Sequence, residues 1–235
     1  MRRLSGSLAA MLLGLGAATA GADPIDLKPF RATYVVEWKG MSAANSILEL
    51  RRSGDDLYEY SSVNTARGLF RMAFSDAVTQ ISTFRLVDGH VTPLAFRGTD
   101  EKERRIDLAF DWQKNRVTGT AKDRAVDLEL MPDTQDPMAL QIAALRDLAA
   151  GRLKDTVWML DGDKLKEYQL RQEGRAQIDT ALGSLDTIIY TSQRAGGDRV
   201  TRTWVAPALG YLPVQAERTR GKKLEFTLRI IAVEP

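Results

Sequence analysis

Asp136-Pro137-Met138-Ala139-Leu140-Gln141-Ile142-Ala143-Ala144-Leu145-Arg146-Asp147-Leu148-Ala149-Ala150-Gly151 decides how the rest of this 235-residue chain is read. It is the one helix pattern among short alternating segments and turns. Asp136 suits the N-cap, because its carboxylate accepts hydrogen bonds from the exposed N–H groups of a first turn. Pro137 fits the first helical position, and Gly151 suits the left-handed residue that closes a helix. A helix is therefore expected over 137–150. Met138, Ile142, Leu145, Leu148 and Ala149 fall on one apolar stripe. Ala139, Ala143 and Ala150 make a second, flat face, and Arg146 and Asp147 are the only charges. A helix this apolar around its girth is mostly buried, so it is expected to pack into the concave side of a curved sheet.

Outward from the helix, alternation takes over on both sides. Phe30, Ala32, Tyr34, Val36 and Trp38 alternate with Arg31, Thr33, Val35, Glu37 and Lys39. Ile106, Leu108, Phe110 and Trp112 do the same, as do Leu224, Phe226, Leu228 and Ile230 near the end. Phe70, Met72 and Phe74 carry the same period, and 165–173 and 176–180 read as separate strands. Asp88-Gly89 and Gly196-Gly197 are hairpin turns, since their residues tolerate positive φ. About fourteen strands so closely spaced must pair antiparallel, and they are too many for one flat sheet. The expected fold is all-β and mainly antiparallel: a curved sheet or half-open β-barrel with one buried central helix. An outer-membrane barrel is excluded, because Arg31, Glu37, Lys39, Asp107 and Arg229 occupy faces where lipid would demand apolar side chains.

The first residues read as a secretory signal peptide, 1–22. Arg2 and Arg3 precede an apolar run over 8–18 that is too short to span a bilayer. Ala20-Gly21-Ala22 gives the small-x-small cleavage pattern. A single domain over 23–235, periplasmic and without a membrane anchor, is the expectation. The chain has no cysteine, which removes disulfides, thiol catalysis and lipid attachment. The formal charge of +2 leaves with the two leading arginines. A mature chain so nearly neutral argues against a nucleic-acid partner.

Phe110-Asp111-Trp112, then Gln135-Asp136-Pro137 opening the helix, then the run from Trp204 through Pro207 and Gly210-Tyr211-Leu212-Pro213 stand in an order that resembles the exported bacterial proteins grouped as domain of unknown function 3108. Phe30-Arg31-Ala32-Thr33-Tyr34 and Leu182-Gly183-Ser184-Leu185-Asp186-Thr187 agree with the same pattern. The resemblance implies an exported antiparallel β-protein and brings no catalytic residues with it. Its general shape is similar to the curved sheets with an internal helix found in periplasmic lipid and lipoprotein carriers, which is analogy of fold alone.

Catalytic material is scarce. His90 is the only histidine and follows a turn, so it lacks the further ligands of a zinc site. Asp161-Gly162-Asp163 reads as a turn and not as a calcium loop. Asp107 and Asp111 lie on one strand face, roughly 13 Å apart along a strand, beside Arg105 for ion pairing. No metal and no cofactor are expected. Asp136 is read as a structural helix cap. Gln141 falls inside the apolar sector between Leu145 and Leu148, and a buried amide must find partners. It bonds a neighbouring strand or faces a cavity. Trp204 and Tyr211 either fix an edge strand and its corner or line a groove. The leading expectation is a non-enzymatic binding protein holding a lipid or other apolar envelope molecule between sheet and helix, with Gln141, Leu145, Leu148, Trp204 and Tyr211 as ligand-binding residues. An envelope assembly protein with a protein partner is the first alternative. A carbohydrate-active or carbohydrate-binding protein using Asp107, Asp111 or Asp136 is the second.

Overall fold

The computed structural model describes residues 27–72, 77–99 and 104–235; the expected signal peptide lies outside them. All fourteen strands belong to one antiparallel sheet. The first eight are β1 (Phe30–Trp38), β2 (Met41–Arg52), β3 (Leu57–Ala66), β4 (Val78–Val87), β5 (His90–Thr99), β6 (Arg105–Asp111), β7 (Arg116–Ala121) and β8 (Arg124–Glu129). The helix α1 (Pro137–Ala149) follows. Then come β9 (Thr156–Asp161), β10 (Lys164–Thr180), β11 (Gly183–Arg194), β12 (Arg199–Ala206), β13 (Leu212–Arg220) and β14 (Lys223–Glu234).

The path through the sheet explains the helix. The chain starts in the middle at β1 and meanders outward to the edge strand β8. It then passes through α1 to the opposite edge, β9, and meanders back until β14 pairs with β1. The sheet curls without closing, and side chains and one strap of backbone draw its two edges together. Lys122 and Arg124, in the β7–β8 turn, both reach Asp163 in the β9–β10 turn, at 3.2 and 3.6 Å. The strap before the helix lies along β9. Gln135 N–H donates to Trp158 O and Leu160 N–H to Gln135 O, each at 2.8 Å. This pairing covers part of the edge ladder of β9, and an open ladder would recruit other chains.

The helix begins as its sequence dictates. Asp136 Oδ1 accepts from Met138 N–H and Ala139 N–H at 2.8 and 2.9 Å, and Gly151 closes the far end at φ +65°. Around its girth α1 touches two cores. Met138, Ala139 and Ile142 join Tyr34, Tyr60, Phe84, Leu108 and their neighbours from the N-terminal strands. Leu140, Ala144, Leu145 and Leu148 join Val157, Leu170, Ile188, Tyr190 and Val205 from the C-terminal strands. The helix is thus a wedge inside the curled sheet, whose first core also takes Leu160, Ala206, Leu212, Val214 and Ile230 from the C-terminal strands. Burying a Leu or Ile side chain contributes roughly 1.5–3 kcal/mol, so this wedge is a large share of the fold's stability.

Three expectations about strands are corrected. Gly68–Met72 is a 3-10 turn and not a strand, because Gly68 at φ +52° leaves the extended region; Phe74 lies outside the described residues. The two strands expected at 165–173 and 176–180 are one, β10, in which Gly174 at φ +151° sits at a bulge opposite β11. Trp38 and Leu224, each read on the apolar face of an alternating strand, are exposed, since both stand at strand ends beyond the reach of the core.

Candidate functional site

A hollow opens beside the small residues in the second half of α1. Leu140, Ala143, Ala144 and Asp147 of the helix form one wall of a cavity of about 200 Å³. Residues 89–92 at the β4–β5 turn and Trp112 form the second wall, and Val157 and Leu170 the third. Gln135 and Asp133 of the strap and Lys154, ahead of β9, complete it. The site therefore collects residues from the strap, the helix and both half-sheets, at the rim where α1 ends.

Its geometry is held by polar contacts. Arg146 Nε approaches Gly89 O at 3.4 Å, tying the hairpin turn to the helix. A side chain at Gly89 would strain this φ +79° turn and meet the Arg146 and Arg152 guanidinium groups. Lys154 Nζ donates to Asp133 Oδ2 at 2.8 Å across the mouth. The Trp112 indole donates to Pro93 O at 2.7 Å and stacks on Phe110. Burial pushes the Asp147 carboxyl above its ordinary range, against the opposing pull of Lys154, Arg152 and His90.

Gln135 is the chemically distinctive member. It is 5 % exposed, and its Nε2 donates to Val91 O at 3.0 Å. Its Oε1 has no partner among the described residues. A buried acceptor left unsatisfied costs roughly 1–3 kcal/mol. The floor is apolar, from Val91, Leu140, Ala143, Val157 and Leu170, while the mouth carries Asp133, Lys154, Asp147 and His90. Such a lining suits an amphipathic occupant. The volume lies below the roughly 300–1,000 Å³ of ordinary small-molecule pockets, so one small molecule or one end of a larger one would fill it.

The residues expected from sequence lie elsewhere. Leu145 and Leu148 are buried in the second core and do not line the cavity. Gln141 is satisfied structurally: Tyr60 Oη–H approaches its Oε1 at 3.4 Å, and its Nε2 reaches Pro137 O at 3.3 Å. Trp204 is half-buried at a bulge of β12 against the first core. Tyr211 sits at φ +63° after Gly210 and packs on the second core. Asp136 is fully buried and also accepts from Ser82 Oγ–H at 2.6 Å. Desolvation nevertheless raises its pKa to about 6.

Asp107 pairs with Arg97 and Arg105, and Asp111 with Lys114, on the outer surface; the three aspartates do not converge. Among the described residues no three acidic or histidine side chains group as metal ligands. A second hollow of about 640 Å³, over residues of β10–β13, is shallower and polar. Its strongest charges already pair with each other, Arg202 Nε to Glu173 Oε2 at 2.7 Å. The sequence signal for this cavity is the pair Ala143-Ala144 followed by Asp147, a small and polar flank on an otherwise apolar helix.

The chain belongs to the family described as Protein of unknown function (DUF3108), whose family model matches residues 33–226. No curated protein matches it. Among solved structures it is similar to the complex of Pseudomonas aeruginosa MucA/MucB, at 13% identity and a TM-score of 0.38, covering 88% of this chain and 51% of that one. It thus spans about half the length of that neighbour. It is also similar to a protein of Bacteroides fragilis NCTC 9343, described as exported and of YmcC-like fold, at 8% identity and a TM-score of 0.38, covering 89% and 97%. Likenesses this distant leave the chemistry to be read from this chain's own residues. No described helix is long and apolar enough to cross a membrane.

Proposed function

Starting from a member of a family without assigned chemistry, we propose that this is an exported, non-enzymatic binding protein of the bacterial periplasm. It holds an amphipathic envelope molecule, or the apolar end of a lipid, beside the helix. One observation carries the reading: an apolar-floored cavity with a charged mouth beside the helix, with Gln135 in its lining. The export half rests on the sequence of residues 1–22.

The occupant's apolar part lies against Leu140, Ala143 and Val157, and its polar part meets Asp147 and Lys154. The test is native mass spectrometry with lipid extraction on protein purified from its own periplasm, with Ala143→Trp as the cavity-filled control. Wild-type protein should release a bound small molecule, and the filled variant should be empty while keeping its circular dichroism. Wild-type protein that is consistently empty would sink the carrier reading and favour an envelope protein partner. N-terminal sequencing should begin near Asp23.

A further inference from the structure

At the rim opposite the cavity, the turns β13–β14, β1–β2 and β3–β4 lie side by side, because their strands are neighbours in the sheet. This run of turns holds large apolar side chains out in water. Leu69 is 83% and Met72 87% exposed in the 3-10 turn, and Trp38, Met41 and Leu224 are exposed beside them. Phe70 sets its ring edge-on to Trp38 with centroids 5.9 Å apart, joining the turn to the hairpin.

Cations are interleaved with these groups. Lys39 Nζ lies 4.3 Å from the centre of the Trp38 ring, and Arg67, Arg71, Lys222 and Lys223 are exposed on the same turns. Arg71, Lys222 and Lys223 make no ion pair with any described residue. The described acids nearby are already matched: Glu37 by Arg229 at 3.4 Å, Glu225 by Arg199 at 3.0 Å and Asp198 by Arg220 at 3.7 Å.

We propose that this rim docks on the surface of a bilayer containing anionic lipids, with Trp38, Met41, Leu69 and Met72 entering the headgroup boundary. A protein partner fits less well, since the core of a protein interface is depleted of charge. Here cations alternate with apolar side chains that project singly. That alternation suits a membrane interface, where tryptophan sits at headgroup level and basic side chains meet anionic lipid. The rim and the cavity are at opposite ends of the sheet, so this inference stands or falls separately from the binding reading.

The exported protein should float with vesicles of phosphatidylethanolamine and phosphatidylglycerol, and much less with phosphatidylcholine alone. Brominated acyl chains should quench its fluorescence, and Trp38→Phe should remove that quenching. Leu69→Ser with Met72→Ser should lower the partition coefficient at least tenfold. Lys222→Gln with Lys223→Gln should lower it about 30-fold at low salt, at about 1 kcal/mol per cation. All four positions are exposed, so the melting temperature should not move. Failure to float with the anionic vesicles, or flotation equal in every variant, would overturn the proposal. So would variants that abolish self-association while vesicle binding is absent in the parent.

Discussion

The two flanks of α1 differ more in what they leave empty than in how apolar they are. On one flank Leu145 and Leu148 pack into Ile188, Tyr190 and Val205, away from the cavity. On the other, Ala143 and Ala144 stop short of the β4–β5 turn, and a cavity opens. The same helix is keystone on one side and wall on the other. A hydrophobic stripe therefore locates a core, and it is the interruption of side-chain size that locates a site.

Substitutions should separate the flanks sharply. Leu145→Ala, on the solid side, should cost about 2–5 kcal/mol, since a truncated core leucine loses burial and leaves a cavity. Urea unfolding midpoints would measure it, and a negligible change would dissolve the distinction at once.

Asp136 tests the solid side by pH. Its folded pKa of about 6 lies above the unfolded carboxylate value of about 3.9. The folded state therefore holds the proton more tightly, and the resulting stability is fully present below about pH 4. It is lost as pH rises through about 6, to a total of about 3 kcal/mol. Asp136→Asn keeps a good cap and should flatten this slope in unfolding curves taken from pH 4 to 7. An unchanged slope would place the titration elsewhere.

On the hollow side the effects should be smaller on stability and larger on binding. Ala143→Trp should cost no more than about 1–3 kcal/mol from overpacking, yet it should abolish uptake of a fluorescent fatty acid. Uptake that survives would mean the cavity is not the site. Lys154→Ala breaks a partly exposed pair across the mouth, a contact worth about 0–1 kcal/mol. Melting should barely shift, while release of a bound probe should quicken in stopped flow.

These contrasts also explain what the sequence could disclose. The cap, the helix span and most strands were legible because Asp136-Pro137, Gly151 and strict alternation are local signals. Gly174 misled because a glycine inside a strand looks like a break, whereas here it supplies the φ of +151° that a bulge requires. The run Phe70, Met72, Phe74 misled because period two in three residues does not fix an extended backbone. The site was illegible for a different reason. Gly89, Trp112, Gln135 and Leu170 come together only when the strap runs along β9, and no local pattern records that meeting. Alanine advertises nothing in a hydropathy reading, whether it abuts a neighbour or a void.

The pairing of the first strand with the last sets the order of assembly. Arg31 faces Glu234 and Glu37 faces Thr227, so β1 waits for a partner made of the final residues. Hairpins elsewhere close over short loops, but this junction joins the two ends of the chain and is among its longest-range contacts. A chain emerging N-terminus first would carry one open strand edge at β1 until β14 emerged. The register there also shifts between Thr33 and Tyr34. Refolding followed by hydrogen exchange should protect β2–β3 before β1–β14. Chains stopped short of Lys223 should remain sticky, with a free edge for any passing strand.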